Sequence, residues 1–193
     1  MQRKATFDYL ILLQRNGEDL LVEESRVLQG KPGKESDKPM LTTSGFSALL
    51  LILHPMFQPS FEFSIGEEEL VGGRRTLRVS FSHRKGERSP SVLQLHGREY
   101  PIPWEGEALV DGETFSVRRM RVHLKAPMED IGLMKMSSEV EYSPYRTGEK
   151  EWLPAGALIE AETRKQRWRN THQFSHYREF AVDTDVKLGA PKQ

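Results

Sequence analysis

Residues 45–55 read GFSALLLILHP, a short apolar stretch in a chain that elsewhere alternates apolar and polar residues. Four of its residues recur at the i, i+3, i+4, i+7 spacing of a helix face, namely Phe46, Leu49, Leu50 and Leu53. The opposite side is filled by Leu51 and Ile52, so the pattern predicts a helix that is apolar almost all round. Pro55 would end this helix, because a proline cannot continue the helical hydrogen-bond ladder.

The remainder of the chain predicts antiparallel strands, because apolar and polar side chains alternate along it with a period of two. The dipeptides Asn16-Gly17 and Asp111-Gly112 separate such runs and are typical of hairpin turns. The predicted strands are Thr6–Gln14, Asp19–Leu28, Phe61–Ile65, Arg74–Arg84, Ser91–Leu95, Trp104–Val110, Phe115–Lys125, Ile131–Tyr142, Glu151–Thr163 and Gln173–Leu188. We therefore expect a mainly β fold, in which a curved antiparallel up-and-down sheet, or half-barrel, wraps around one buried apolar helix.

Length and composition limit the classes of protein that fit. A chain of 193 residues is long enough for one sizeable core, so we expect a single domain over residues 1–193, with a flexible loop near 29–40 and a short flexible tail near 189–193. Lysine plus arginine equals aspartate plus glutamate at 28 each, so no net field favours nucleic acid, and we expect no nucleic-acid partner. Basic clusters such as Arg118/Arg119/Arg121 are typical of solvated strand faces. The absence of cysteine excludes disulfides, thiolate metal sites and cysteine nucleophiles.

Membrane-spanning segments are not predicted. No segment approaches the ~20 consecutive apolar residues that a helix needs to cross a bilayer. The apolar run Tyr9–Leu13 follows basic residues but is too short for a signal peptide and lacks a small-residue cleavage site. An outer-membrane barrel is disfavoured because the polar parity of the strands carries many full charges.

Catalytic and metal-binding patterns are also weak. His172 and His176 are four residues apart, which on a strand corresponds to ~13 Å, too far to share a metal ion. The sequence contains no nucleophile-elbow, phosphate-loop or zinc-protease motif. We therefore expect no enzymatic activity, no catalytic residues, no metal and no cofactor.

A ligand that is sheltered between the sheet and the helix would contact apolar side chains of both. Methionines support such an interior because their flexible thioether side chains adapt to varied shapes. The residues predicted to contact the ligand are Phe46, Leu49, Leu50, Leu53, Met120, Met134, Met136 and Phe180. Trp152, Trp168 and Arg169 are predicted at the rim, where they either pack the edge of the sheet or stack on and pair with an acidic or lipid head group.

Several short segments of the sequence resemble those of a known family. These segments are Thr43-Ser44-Gly45-Phe46, Leu49-Leu50-Leu51-Ile52, His54-Pro55, Ser89-Pro90-Ser91-Val92-Leu93, Ala126-Pro127-Met128-Glu129-Asp130, Trp152-Leu153-Pro154, Trp168-Arg169-Asn170-Thr171-His172 and Tyr177-Arg178-Glu179-Phe180. Over Leu41 to Val186 the chain resembles an uncharacterised family of extracytoplasmic β-rich proteins common in acidobacterial genomes. The resemblance implies a periplasmic or otherwise extracytoplasmic location.

More distantly, the order of elements is similar to that of the lipoprotein-carrier proteins of the bacterial periplasm. The turn Ala108-Leu109-Val110-Asp111-Gly112 resembles the turn that follows an apolar wall strand in those proteins. That resemblance implies a non-enzymatic carrier that shelters an acyl chain or another apolar ligand in the concave face. The alternative is a structural or interaction protein of the envelope, with an envelope protein as partner, whose helix fills the sheet and leaves no cavity.

Overall fold

A computed structural model describes residues 5–16, 19–29, 47–71, 73–95, 97–145 and 152–178. Within these ranges the chain forms eleven strands. They are β1 (Phe7–Asn16), β2 (Asp19–Leu28), β3 (Phe61–Val71), β4 (Arg74–His83), β5 (Val92–Leu95), β6 (Arg98–Pro101), β7 (Trp104–Asp111), β8 (Val117–Leu124), β9 (Leu133–Pro144), β10 (Trp152–Thr163) and β11 (Arg167–Gln173). Short 3-10 helices cover Ser47–Leu53, Gln58–Ser60 and Glu129–Ile131. The predicted loop at 30–40, the tail at 189–193, Phe46 and Phe180 lie outside the described residues.

Seven strands form one antiparallel sheet in the order β11-β10-β9-β8-β7-β4-β3. Neighbours in this sheet are also neighbours in sequence, except that the separate hairpin β5–β6 is inserted between β4 and β7. A further hairpin, β1–β2, pairs Phe7 with Leu28 and Asn16 with Asp19. The mainly β, antiparallel character is therefore confirmed, and the described strands form an open sheet that does not close into a barrel.

The last described residues depart from the predicted pattern of strands. The last described strand is β11, and residues 174–178 contain no strand, so the prediction that a strand starts at Gln173 is wrong. In β11 the side chains that face the same way as Ala161, Ile159 and Ala157 are those of Trp168, Asn170 and His172. Because two of these three are polar, the alternation of apolar and polar residues that reveals a strand is missing.

One face of the seven-stranded sheet, which we call the inner face, carries the hydrophobic core. Ala108, Met120 and Val140 are direct partners across β7, β8 and β9, and all three are fully buried. Beside them Gly106 stands between Phe81 and Val122. A Cβ atom at position 106 would lie 2.0 Å from the carbonyl oxygen of Arg121, so β7 and β8 require glycine there.

The predicted apolar helix is the principal correction. Residues Ser47–Leu53 form a 3-10 helix rather than an α-helix, and the part of the chain that the structure describes contains no α-helix. Seven residues followed by a turn are too short to favour an α-helix. In a 3-10 helix residues i and i+3 align, and Leu49 and Ile52 are accordingly the pair that is buried, at 2% and 0% exposure. The neighbouring Leu50, Leu51 and Leu53 are only half-buried, so the helix is not buried on all sides.

The opposite, outer face of the sheet carries charged side chains in cross-strand pairs. Arg78 on β4 contacts Glu107 on β7 at 2.5 Å and Glu69 on β3 at 3.3 Å. Arg121 on β8 contacts Glu139 on β9 at 3.0 Å. These groups are partly exposed to solvent, so each pair contributes little to stability, and this part of the outer face is polar and hydrated.

The two ends of the sheet differ in how they are covered. At one end, the Trp104 end, residues 47–60 lead into β3 and bury Phe57, while Ile102 is buried between β6 and β7. At the other end, the Asp111 end, the strands are joined by turns, and Asp111 Oδ1 accepts hydrogen bonds from the backbone N–H groups of Glu113 and Thr114. The inner face is therefore covered by chain at the Trp104 end, whereas it is exposed along the edge strand β3.

Candidate functional site

An apolar strip on β3 is exposed although its side chains have the parity of the core. The strip consists of Phe63, Ile65 and Leu70, which are 38%, 72% and 77% exposed. Phe63 pairs with Phe81 and Ile65 pairs with Val79, so both belong to the inner face. A register shift after Ile65 re-aligns the strand, and Leu70 then pairs with Arg75 on the same face. The described residues leave this part of the inner face accessible to solvent.

A row of half-buried apolar side chains continues from the strip across the sheet. Leu77 on β4 pairs with Val110 on β7, and Val110 pairs with Val117 on β8. Val110 and Val117 pack against the buried core. This apolar row, Leu77, Val110 and Val117, therefore crosses β4, β7 and β8 at the Asp111 end, and on β3 it faces Glu68, which lies between Ile65 and Leu70 and is ion-paired to Arg75.

A cationic and aromatic cluster lies where the apolar row ends. Arg119 pairs with Glu141, so one further step in the same register places Arg118 opposite Tyr142. The guanidinium carbon of Arg118 lies 5.5 Å from the centroid of the Trp152 ring, a cation–π contact. The hydroxyl of Tyr177 donates a hydrogen bond to the carbonyl of Pro154, which pairs with Tyr142.

Two hydrogen-bond donors of this cluster are buried and have no described acceptor. They are the Nη1 group of Arg118 and the hydroxyl of Tyr142, a residue that is 6% exposed. Asp111 is an electrostatic neighbour of Arg118. Its Oδ1 accepts hydrogen bonds from the turn, while its buried Oδ2 lies 3.8 Å from Arg74 Nη1 and has no hydrogen-bond partner among the described residues. A buried donor without an acceptor costs about 1–3 kcal/mol, so the cluster favours a ligand that supplies oxygen acceptors.

Burial also sets the protonation of the tyrosines in this cluster. Desolvation raises the pKa of Tyr142 far above its ordinary value, and the neighbouring Tyr177 adds to the shift. Desolvation raises the pKa of Tyr177 to about 12. Both phenols therefore stay neutral near pH 7, and the Tyr142 hydroxyl remains a hydrogen-bond donor. In the adjoining turn, the hydrogen bond from the backbone N–H of Thr114 is the largest cause that lowers the pKa of Asp111, which stays ionised.

The outer face has a shallow polar depression of about 400 Å³. Its walls include Glu105, Glu107, Arg121 and His123, and the His123 ring lies 2.9 Å from a Glu105 oxygen. The charges of this depression are largely paired with each other, and it lies on the face opposite the apolar strip. We find no arrangement here that resembles a catalytic centre within the described ranges.

The residues predicted to contact the ligand do not line one common site in the structure. Leu49 and Met120 are buried in the core, while Leu50, Leu53 and Met136 are half-buried and pack against it. Met134 is half-buried but is not part of that core. The residues that pack in the core fill space and line no opening.

The predicted rim residues do not come together either. Trp152 contacts Arg118 at the Asp111 end, whereas Trp168 pairs with Ala161 near the Trp104 end. Arg169 lies 3.6 Å from Glu160 on the outer face. Of the three rim residues, Trp152 alone lies in the cationic and aromatic cluster.

Sequence analysis missed the strip and Arg118. Leu70 follows three consecutive glutamates, which hide the end of β3 from a search for alternating residues. Arg118 belongs to a basic cluster that was interpreted as a solvated face, and that interpretation fits Arg121, which pairs with Glu139. Alternation along β8 places Arg118 on the side of Met120 and Val122, opposite to Arg119 and Arg121, and this parity was the available signal.

Comparison with protein-family models, curated proteins and solved structures finds no match for this chain. Among the described residues, no group of three or more histidine, cysteine, aspartate or glutamate side chains is placed to hold a metal ion. Over the same part of the chain, no helix has both the length and the apolar character needed to cross a membrane.

Proposed function

We propose that this chain is a non-enzymatic binding or carrier protein of the cell envelope that shelters an acyl chain or similar apolar ligand. The single observation that carries the proposal is the apolar strip, Phe63, Ile65 and Leu70, which is exposed on the core-facing side of the sheet. Exposed apolar surface on that side is unfavourable in water, and a hydrocarbon chain that covered it would remove the cost.

The ligand is placed at the Asp111 end rather than beneath the apolar helix. Leu49 and Ile52 are buried in the hydrophobic core, so the region beneath the apolar helix has little room for a chain. The strip and the apolar row, by contrast, are at least partly exposed. Glu68, which is ion-paired to Arg75, faces Leu77, so the apolar surface passes from Ile65 to Leu77 through Val79 on β4. In this proposal the sheet is a curved half-barrel whose accessible corner receives the ligand, and the protein acts in the periplasm or elsewhere outside the cytoplasm.

A labelling experiment tests the proposal directly, because the natural sequence contains no cysteine. Ile65→Cys places a single thiol for an environment-sensitive fluorophore on the strip, and Ser64→Cys is the matched control on the opposite face of the same strand. We expect added hexadecanol or hexadecanoate to shift the emission of the label at position 65 to shorter wavelength and to leave the label at position 64 unchanged. Equal responses at the two positions, or no response at position 65, would contradict the proposal.

A structural or interaction protein is the second candidate function. The burial of Leu49 and Ile52 favours it, because a filled interior is what that function requires. The strip would then contact an envelope protein. Under this alternative the label at position 65 responds to a protein partner in an envelope extract and does not respond to lipid, so the same labelled variant separates the two candidates.

A further inference from the structure

We infer that Arg118, together with the hydroxyl of Tyr142, binds the anionic head group of a single-chain lipid whose hydrocarbon part covers the apolar strip. The inference rests on the proposed function and narrows its ligand class to an amphiphile with a carboxylate or phosphate head. Neutral waxes, alcohols and esters fall outside that class.

The first argument is the state of the two donors. Tyr142 is 6% exposed, and neither its hydroxyl nor the Nη1 group of Arg118 has an acceptor among the described residues. One register step places these two residues opposite each other on β8 and β9. A carboxylate or phosphate has several acceptor oxygens and can accept from a guanidinium and a hydroxyl at the same time.

The second argument is charge. Arg118 contributes a cationic guanidinium, whose carbon lies 5.5 Å from the centroid of the Trp152 ring. Its acidic neighbour Asp111 accepts two backbone N–H groups through Oδ1 and lies 3.8 Å from Arg74 through Oδ2. Asp111 therefore offsets part of the charge of Arg118 without accepting a hydrogen bond from its Nη1 group, and that group remains available to a ligand.

The third argument is distance. Arg118 is on β8 and the strip is on β3, three strand spacings away, which is about 14 Å. The apolar row Leu77, Val110 and Val117 lies along this path. The hydrocarbon layer of one membrane leaflet is about 15 Å deep, so one acyl chain can span from the head-group site to the strip.

The test compares three lipids that share one hydrocarbon chain: hexadecanoate, hexadecyl phosphate and hexadecanol. Their affinities are measured by competition with a bound fluorescent probe on the full chain. We expect one or both anionic lipids to bind about tenfold or more tightly than the alcohol, because a charge-assisted hydrogen bond exceeds a neutral one. The tighter of the two anionic lipids identifies the head group as carboxylate or phosphate.

Three variants then show which residues cause the preference for an anionic lipid over the alcohol. Arg118→Gln should remove it, while Arg121→Gln, on the outer face of the same strand, should leave it unchanged. Tyr142→Phe should reduce it about threefold, and this variant keeps the shape of the side chain, so it tests the site even if Arg118→Gln does not fold.

The outcomes separate the two levels of the proposal. If none of the three lipids binds, the proposed function fails. If all three bind with equal affinity, or if Arg118→Gln keeps the preference for an anionic head, the head-group inference alone is overturned and the apolar site stands.

Discussion

The covered Trp104 end of the sheet and its edge strand β3 treat apolar side chains in opposite ways. At the Trp104 end the segment 47–60 buries Ile52 completely, whereas Ile65 on β3 is 72% exposed on the core-facing side, although it is level with the fully buried Ala108. Both are isoleucines, so their chemistry cannot explain the difference. What differs is the chain that covers them, and this teaches that the inner face is a packed core where other segments cover it and an accessible surface along its edge strand β3.

The largest expected effect comes from the two isoleucines themselves. Ile52→Ala should lower the free energy of unfolding by about 3 kcal/mol, because it removes a fully buried side chain and leaves a cavity. Ile65→Ala should lower it by less than about 0.5 kcal/mol, because the side chain is mostly exposed. Chemical denaturation of both variants measures the contrast. Similar losses for the two variants would show that the strip is covered in solution and would remove the distinction between the ends.

Gly106, between the two ends, gives the next largest effect. An added Cβ would lie 2.0 Å from the carbonyl oxygen of Arg121 and 2.9 Å from Val122 Cα, so Gly106→Ala should force β7 and β8 apart and cost about 2–3 kcal/mol. Gly66→Ala on β3 is the matched control, since its nearest contacts are 3.5 and 3.6 Å. We expect that control to change unfolding free energy by no more than about 1 kcal/mol. If Gly106→Ala left the free energy of unfolding unchanged, the close approach of β7 and β8 would be refuted.

The smallest predicted effect is a loss of stability at alkaline pH that originates at the Asp111 end. The unfolded chain ionises its tyrosines near pH 10, while the folded chain keeps Tyr142 and Tyr177 neutral, the latter up to about pH 12. Between these values the unfolded state binds fewer protons, so the free energy of unfolding falls as pH rises.

Because Tyr177 is only half-buried, we expect the combined loss to be about 1–2 kcal/mol. Denaturation of the natural chain and of Tyr142→Phe at pH 8 and pH 11 measures it. The variant should lose less stability than the natural chain, because it lacks the buried phenol. An identical loss in both proteins would show that Tyr142 is not desolvated.

Most of the strands could be predicted from the sequence alone. The alternation of apolar and polar residues identified β4 and the paired strands β7 and β8. In a sheet with one solvent-exposed face and one buried face, successive side chains of a strand point alternately to the two faces. The helix and β11 were mispredicted because their sequences lack a decisive pattern of apolar and polar residues. Seven apolar residues do not distinguish an α-helix from a 3-10 helix, and the inward polar residues Asn170 and His172 erase the alternation of β11.

The candidate site was less predictable than the fold. Trp152 was identified, because a tryptophan beside a strand start is conspicuous in sequence. Its partner Arg118 was not, because a charged residue is expected on the solvated side of a strand although its parity is that of Met120 and Val122. The exposure of Ile65 was equally hidden, since apolar residues with core parity are expected to be buried.

By itself the sequence determined the antiparallel β character, the positions of most strands and the division of each strand into a polar and an apolar side. These properties are local, because they follow from the side-chain period along one strand. Only the tertiary structure decided which apolar residues are covered and which donors lack an acceptor. Ile52 is covered and Ile65 is exposed, and Arg118 lies next to Tyr142. Such properties depend on segments that are distant in sequence, and burial and hydrogen bonding exist only once those segments have come together.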